Sequence, residues 1–567
     1  MQYELVDKTA VTDNIDPNKP LFCDIESHGL YLEICLFQMY QEGWKLPVVV
    51  RYPELDWLKK VVNTSYTVWY NASYDLGTIE ISPYRYEDLF YAAKTAYPLL
   101  DSHALDSVEE HLGIDVHDDF DKKAMQKSFA TAACKKSRSF TQEQLEYAAA
   151  DTIGLAQMWA DRKIRRVIRS NKAYAADIQA AKDALVYQYN GMPVCKERLE
   201  AATRDAERKL NKNMRQLPPG TNVKSPKLKK WLGTENANEQ TLKGLELNGD
   251  ERAKYVLGAR KYRTRLQDLN KKYEGHDRVR TFFNAAGAIT GRFTSTGGDR
   301  DGFTNIQNIN RDLKYIFGYA EDSDRVLVNA DYSTAELIAG CSIMKVPSMR
   351  EWILEGMDIH KATAVGLAKT TYEEVTKAER QAAKAVNFGL LFGMGVELFR
   401  DYAYYTYGVK FTLDEAQEAK DFYYRTHPGI KKYHQYIGKN VRRSTFTVET
   451  ALGRVAGNRR YTEMLNIPVQ GSIAEATKLS IHHFLQNNKA LLKDNMVINM
   501  VHDSIVGDVK KDHVEDWAAA VNESMQYGWR EVSKSDLFHY QDLPMGVEVG
   551  ASHKYDASEF YIKEFKS

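Results

Sequence analysis

Residues 380–393 read Arg380-Gln-Ala-Ala-Lys384-Ala-Val-Asn-Phe388-Gly-Leu-Leu-Phe392-Gly393. Arg380, Lys384, Phe388 and Phe392 recur every four residues. At about 100° per residue this spacing drifts by about 40° per step, so the four form one slanting stripe on a helix. Two cations in the N-terminal part of such a stripe suit a triphosphate, which also gains from the helix dipole. An aromatic ring one turn on stacks on a base or sugar. The bland alternative is an amphipathic core helix whose Arg and Lys snorkel to solvent.

The neighbours on either side weigh against the bland alternative. Upstream, the β-rich run Arg325–Ala330 leads into Asp331-Tyr-Ser-Thr-Ala-Glu336-Leu337. Downstream, Met500-Val-His-Asp503-Ser-Ile-Val506 sets a polar His-Asp pair between apolar residues, the pattern of a tight hairpin with an acidic tip. Alone, Asp503 reads as a turn-forming aspartate. Flanking a cationic and aromatic helix, two such acids suit nucleotidyl transfer, which uses metal ions held by carboxylates from separate strands.

A second acidic set lies near the N-terminus. Asp24 and Glu26, two apart on the strand Leu21–Glu26, point to one face. Side by side they repel and lose hydration unless a cation sits between them. Asn71-Ala-Ser-Tyr-Asp75 follows the strand Thr67–Tyr70, and Tyr147 and Asp151 share a face of the helix Gln142–Met158.

Asp24-x-Glu26, Asn71-x-x-x-Asp75 and Tyr147-x-x-x-Asp151 together resemble the tyrosine-bearing DEDD-type 3′→5′ exonuclease. That resemblance implies two Mg²⁺ or Mn²⁺ ions on Asp24, Glu26, Asp75 and Asp151, with Tyr147 orienting the attacking water. The segments around Asp331, Arg380–Gly393 and Asp503 resemble motifs A, B and C of the family A (DNA polymerase I-like) DNA polymerases. Thr290-Gly-Arg292, Asn305-Ile-Gln307-Asn308, Asp358-Ile-His360, Asn466-Ile-Pro-Val-Gln470-Gly and Val223-Lys-Ser-Pro-Lys resemble further segments of that family.

The resemblance implies that Asp331 and Asp503 hold two Mg²⁺ ions. Arg380, Lys384, His360, Phe388, Tyr332 and Phe392 would bind the incoming dNTP, and Glu336 would crowd its 2′ position. Arg292, Asn305, Gln307, Gln470 and His502 would contact primer–template DNA. Four departures from the family pattern are Ser504 for a common Glu, Phe392 for Tyr, Thr334 for Gln and Ile338 for Arg. Of these, Ser504 removes a supporting carboxylate, so metal binding would lean harder on Asp331 and Asp503.

The implied fold class is α/β and multidomain, an RNase H-like exonuclease domain followed by a right-hand polymerase. Its expected parts are residues 1–165 (exonuclease), 166–285 (helical thumb and connection), 286–345 (first palm part), 346–432 (fingers) and 433–567 (second palm part). Strands are also read at Tyr31–Phe37 and Val48–Arg51, with helical, charged sequence from Lys163 to Lys272. Length agrees with several domains, since 567 residues exceed what one core holds.

Charge is zero overall, but Arg204–Arg280 carries 20 Lys+Arg against 10 Asp+Glu, as a phosphate-gripping element would. Five scattered cysteines without a CxxC pair argue against a disulfide framework or zinc site, and His482 and His483 read as ordinary helix residues. No signal peptide or membrane span is read, so the expected location is cytoplasmic, in a bacterium or phage-infected host. With motifs starting at Asp24, no 5′-nuclease domain is expected before them. This layout, with a short thumb, implies a compact phage-like replicase, expected to be a monomer, with helicase and single-strand binding protein as expected replisome partners. Competing readings are a single-subunit RNA polymerase, opposed by Glu336 and the exonuclease set; a scaffold with dead sites; and a nuclease whose polymerase half mainly holds DNA.

Overall fold

Two sheets, each carrying one of the acidic sets, organise the chain. The computed structural model describes residues 2–7, 14–117, 120–555 and 561–565. Its N-terminal half is built on a six-stranded mixed sheet in the order Glu4–Asp7, Val48–Arg51, Ile34–Gln41, Pro20–Ser27, Tyr66–Trp69, Tyr86–Asp88. The Pro20–Ser27 strand is antiparallel to Ile34–Gln41 and parallel to Tyr66–Trp69. The expected strand at Tyr31 instead begins at Ile34, because Tyr31 takes a left-handed φ of 64° in the turn before it. Helix Gln142–Trp159 crosses this sheet and opens with a capping box, Thr141 with Gln144.

The second sheet is wholly antiparallel, in the order Met496–Val501, Ser504–Lys510, Arg325–Tyr332, Val547–Ser552, Tyr561–Phe565. Its last two strands escape the sequence reading. Helices Tyr461–Asn487 and Val514–Ser533 pack against each other, and the latter covers the sheet. Trp517 lies flat on Gly507, where a Cβ would fall 2.4 Å from its ring, so only glycine admits this packing.

In the sequence between the two sheets, helices Lys196–Met214 and Glu251–Asp268 pair beside a small core of Leu217, Val223, Leu228, Leu232 and Leu242. Five helices from Ile359 to Asn440 form a separate layer. The Lys377–Leu391 helix starts where it does because Thr376 and Glu379 form a capping box. Phe392 is its C-cap, outside the helix, so the stripe read from the sequence ends at Phe388 on regular helix. Gly393 follows with φ +74° and sits against Tyr461 and Leu465.

Candidate active sites at two acidic centres

Asp331 is the penultimate residue of the central strand of the antiparallel sheet. Cross-strand register sets it opposite Ser504 on one side and Glu548 on the other. The turn His502-Asp503 joins the two strands of the hairpin, with His502 exposed at a left-handed φ of 58°. Asp331 and Asp503 thereby come close enough for each carboxylate to act on the other. Burial, then the charge of Asp503, push the Asp331 carboxyl well above the usual carboxylate range; Glu548 adds to this field. Burial also raises Asp503, against the pull of Arg292.

Sequence reading missed Glu548. Ser504 is buried and donates its hydroxyl to Val501 O at 3.0 Å, so no acid stands there, but the register brings Glu548 to the same face as Asp331. The alternation Val547-Glu548-Val549 was the available signal for a strand with one acid facing out.

A clamp forms around Glu336. Gln470 Nε2 donates to its Oε1 at 2.8 Å, and Arg292 Nη2 reaches the same oxygen at 3.3 Å. Three segments distant in sequence thus converge on one carboxylate. Arg292 is itself placed from behind, since the buried Lys478 donates to Gly291 O at 2.5 Å.

On the helical layer, Lys384 has no ion pair among the described residues. Arg380 is held by Asp358 at 2.7 Å, and Asp358 also caps the Ile359–Ala368 helix. His360 is buried against Phe388, with ring centroids 5.4 Å apart, and pairs with Asn387 at 3.0 Å. Burial pulls His360 down to about 4, so it is neutral near pH 7.

Three residues expected to contact substrate also make hydrogen bonds within the chain. Tyr332 follows Asp331 on the strand and so faces the opposite side, where its hydroxyl donates to Met525 O at 2.6 Å in the core. Asn305 Oδ1 accepts from Ser295 Oγ at 2.8 Å and from the Gln307 and Asn308 amides at 3.1 Å, holding its own turn. Gln307 donates to Met500 O at 2.7 Å, tying that turn to the hairpin.

In the N-terminal centre, oxygens of Asp24, Glu26 and Asp151 all lie within 4.8 Å of one another. Burial first, then Asp151 and Asp75, push Asp24 and Glu26 well above their ordinary values. Gln38 donates to Asp24 at 2.6 Å. His117, missed in the sequence, bridges Asp151 and Glu109 at 3.1 Å each, and Lys122 reaches Glu109 at 2.5 Å. Burial opposes its protonation, but the two carboxylates outweigh this and hold His117 up at about 9. Tyr147 packs its ring on His117 and Phe120.

Asp24, Glu26, Tyr147 and Asp151 line a cleft of about 950 Å³ whose far wall comes from the other half of the chain, with Asn284, Ile289 and Arg459. Asn284 donates to Asn71 Oδ1 at 2.7 Å, and Lys94 donates to Ala286 O at 2.5 Å. The strand and loop that lead to Arg292 therefore bound one side of the cleft.

Both centres fit divalent cations. Buried oxygens of Asp75 and Asp331 have no protein partner, and repelling carboxylates are crowded out of water at each centre. A cation offsets that cost.

Residues 214–557 match the family model described as DNA polymerase family A. DNA polymerase I of Aquifex aeolicus (strain VF5) is 28% identical over 535 residues, which cover 87% of this chain and 88% of that protein. DNA polymerase I of Bacillus caldotenax is 29% identical over 271 residues, and the match spans only 29% of its length. Among solved structures, the POL domain of Pol1 from M. smegmatis, in complex with DNA primer–template and dNTP, superposes with a TM-score of 0.72 at 16% identity. That match covers 98% of this chain and all of the other.

Proposed function

This chain belongs to DNA polymerase family A, its residues 214–557 forming a DNA polymerase domain, and from that premise we propose a proofreading enzyme that extends primers with dNTPs. The observation that carries the reading is the meeting of Asp331 and Asp503 beside the Glu336 clamp. Asp331 and Asp503 would hold divalent metal ions, Mg²⁺ by preference. When bound, these supply activation of the primer 3′-hydroxyl and neutralise charge on the transferring phosphoryl group. Lys384 and Arg380 hold the triphosphate, and Phe388 stacks on the nucleotide. Arg292 and Gln470 test pair geometry through minor-groove acceptors shared by all correct pairs.

Glu336 walls off the 2′ position. Two donors on one oxygen prevent it from swinging aside, so the wall is stiff. Glu336→Ala is expected to cut the dNTP-over-rNTP ratio of kcat/KM by about 10²-fold, the scale on which a pocket rejects one added hydroxyl. An unchanged ratio in steady-state incorporation removes the role.

In the N-terminal centre, Asp24, Glu26, Asp75 and Asp151 would hold the ions of a 3′→5′ exonuclease. Tyr147 orients the attacking water, and His117 restrains Asp151. Withholding dNTPs should then shorten a recessed primer in Mg²⁺. Asp24→Ala should lower that shortening by about 10³-fold, equivalent to about 4 kcal/mol of barrier, while leaving extension intact. Shortening by the variant at the wild-type rate, followed on a labelled primer, would exclude this centre.

A further inference from the structure

The helix Arg162–Ser170 reads Arg-Lys-Ile-Arg-Arg-Val-Ile-Arg-Ser, with five cations and no acid. Arg162, Arg165, Arg166 and Arg169 recur at i, i+3, i+4 and i+7 and share one face, where they line a shallow depression of about 470 Å³. The other face is anchored: Ile164 is buried, and Val167 and Ile168 pack on the core.

Such an arrangement opposes its own folding. Like charges three and four apart repel, and cations in the first turn also meet the positive end of the helix dipole. Asp161 offsets part of this by capping, its Oδ1 accepting from the Lys163 and Ile164 amides at 2.9 Å. Several other arginines of the chain do have a carboxylate partner within 4 Å, among them the exposed Arg204, Arg208 and Arg252 and the more buried Arg265. Among the described residues the four arginines of this face form no ion pair.

We infer that this face binds the phosphodiester backbone of DNA outside both acidic centres, an inference whose choice of ligand rests on the polymerase reading above. Guanidinium forks match phosphate oxygens, and a backbone contact requires spaced cations without an apolar core. A protein partner requires such a core, and no large apolar side chain is exposed on this helix. From Arg162 to Arg169 the helix rises about 10 Å, the span of about three nucleotides of one strand. The helix rests on Leu89–Ala96, whose Phe90 and Lys94 line the exonuclease cleft, so the arginine face lies one helix away from that cleft.

The test is the salt dependence of DNA binding by the full chain carrying R162Q, R165Q, R166Q and R169Q. Fluorescence anisotropy would follow labelled primer–templates with short and long single-stranded template overhangs, and a blunt duplex, from about 50 to about 300 mM salt. Each lost phosphate contact lowers the log–log slope by about 0.7 on single strands and about 0.9 on duplex. The slope should therefore fall by about three, with affinity about tenfold or more weaker at low salt. A loss confined to the long overhang assigns a single strand, and a loss on the blunt duplex assigns duplex; either supports the site. The charge-retaining R162K, R165K, R166K and R169K variant should keep the wild-type slope. Relief of repulsion predicts a Tm for the Gln variant no lower than wild type. Extension of the short-overhang substrate at saturating DNA should be unchanged, so failure here is distinct from failure of the polymerase reading. An unchanged slope on every DNA, or a loss seen only for polyglutamate as ligand, overturns the proposal.

Discussion

Asp331→Ala is expected to abolish primer extension, by about 10³-fold or more in kcat/KM, equivalent to about 4 kcal/mol of transition-state stabilisation. The same protein should still shorten primers, because Asp24 and Glu26, proposed above for that activity, sit on a different sheet. A second readout separates lost chemistry from lost structure. Burial and Asp503 hold the Asp331 carboxyl above its ordinary range, so the folded state binds this proton more tightly than the unfolded chain does. In chelator, that contribution is present at low pH and is lost as pH rises through the shifted value, so the ionised group opposes folding near pH 7. Asp331→Ala should therefore melt no lower than wild type in EDTA at pH 7, while Mg²⁺ should raise the Tm of wild type more than that of the variant. Extension by Asp331→Ala at wild-type rate would remove Asp331 from the chemistry. A much lower Tm would assign it a structural role.

The largest stability effect is expected far from either centre, at Asp177. This aspartate is fully buried on the Lys172–Tyr187 helix, which links the two halves of the chain. It accepts from Lys478 at 2.6 Å and from Arg454, both almost completely buried. Glu475 lies in the same pocket and accepts from Thr450 and the Leu452 amide. Two anions and two cations are thus balanced out of contact with water. Asp177→Ala strands two buried cations against one acid, which should cost about 3–5 kcal/mol. Adding Lys478→Met restores the balance and should recover much of that loss, a coupling that a double-mutant cycle reads directly. Burial alone would raise Asp177, but Arg454 and then Lys478 overcome this and hold it below the usual range. Its contribution is therefore present above the ordinary carboxylate pKa and is lost only as pH falls through the lower folded value. A urea midpoint for Asp177→Ala equal to wild type would contradict this account. Because Lys478 also holds Gly291, the single variant should raise KM for primer–template through Arg292.

Features contained in one element were legible in advance. Asp24 and Glu26 share a face because a strand alternates, Tyr147 and Asp151 because a helix repeats, and the hairpin tip carries Asp503 because apolar strands flank a polar pair. The same alternation turns the Tyr332 ring to the face opposite Asp331, since the two are adjacent. The helix end was not legible, because the four-residue spacing continues to Phe392 while the helix stops at Leu391.

What the chain's own order determined is therefore the set of elements and the chemistry each one carries, since backbone periodicity is a local property of neighbouring residues. Tertiary structure alone decided which groups meet: Gln470 and Arg292 on Glu336, Glu548 beside Asp331, His117 on Asp151, Lys94 on the loop before Arg292, and Asp177 between two cations. Each of those meetings joins separate elements. The packing of apolar faces brings them together, and the cost of burying an unpaired charge then selects the partner.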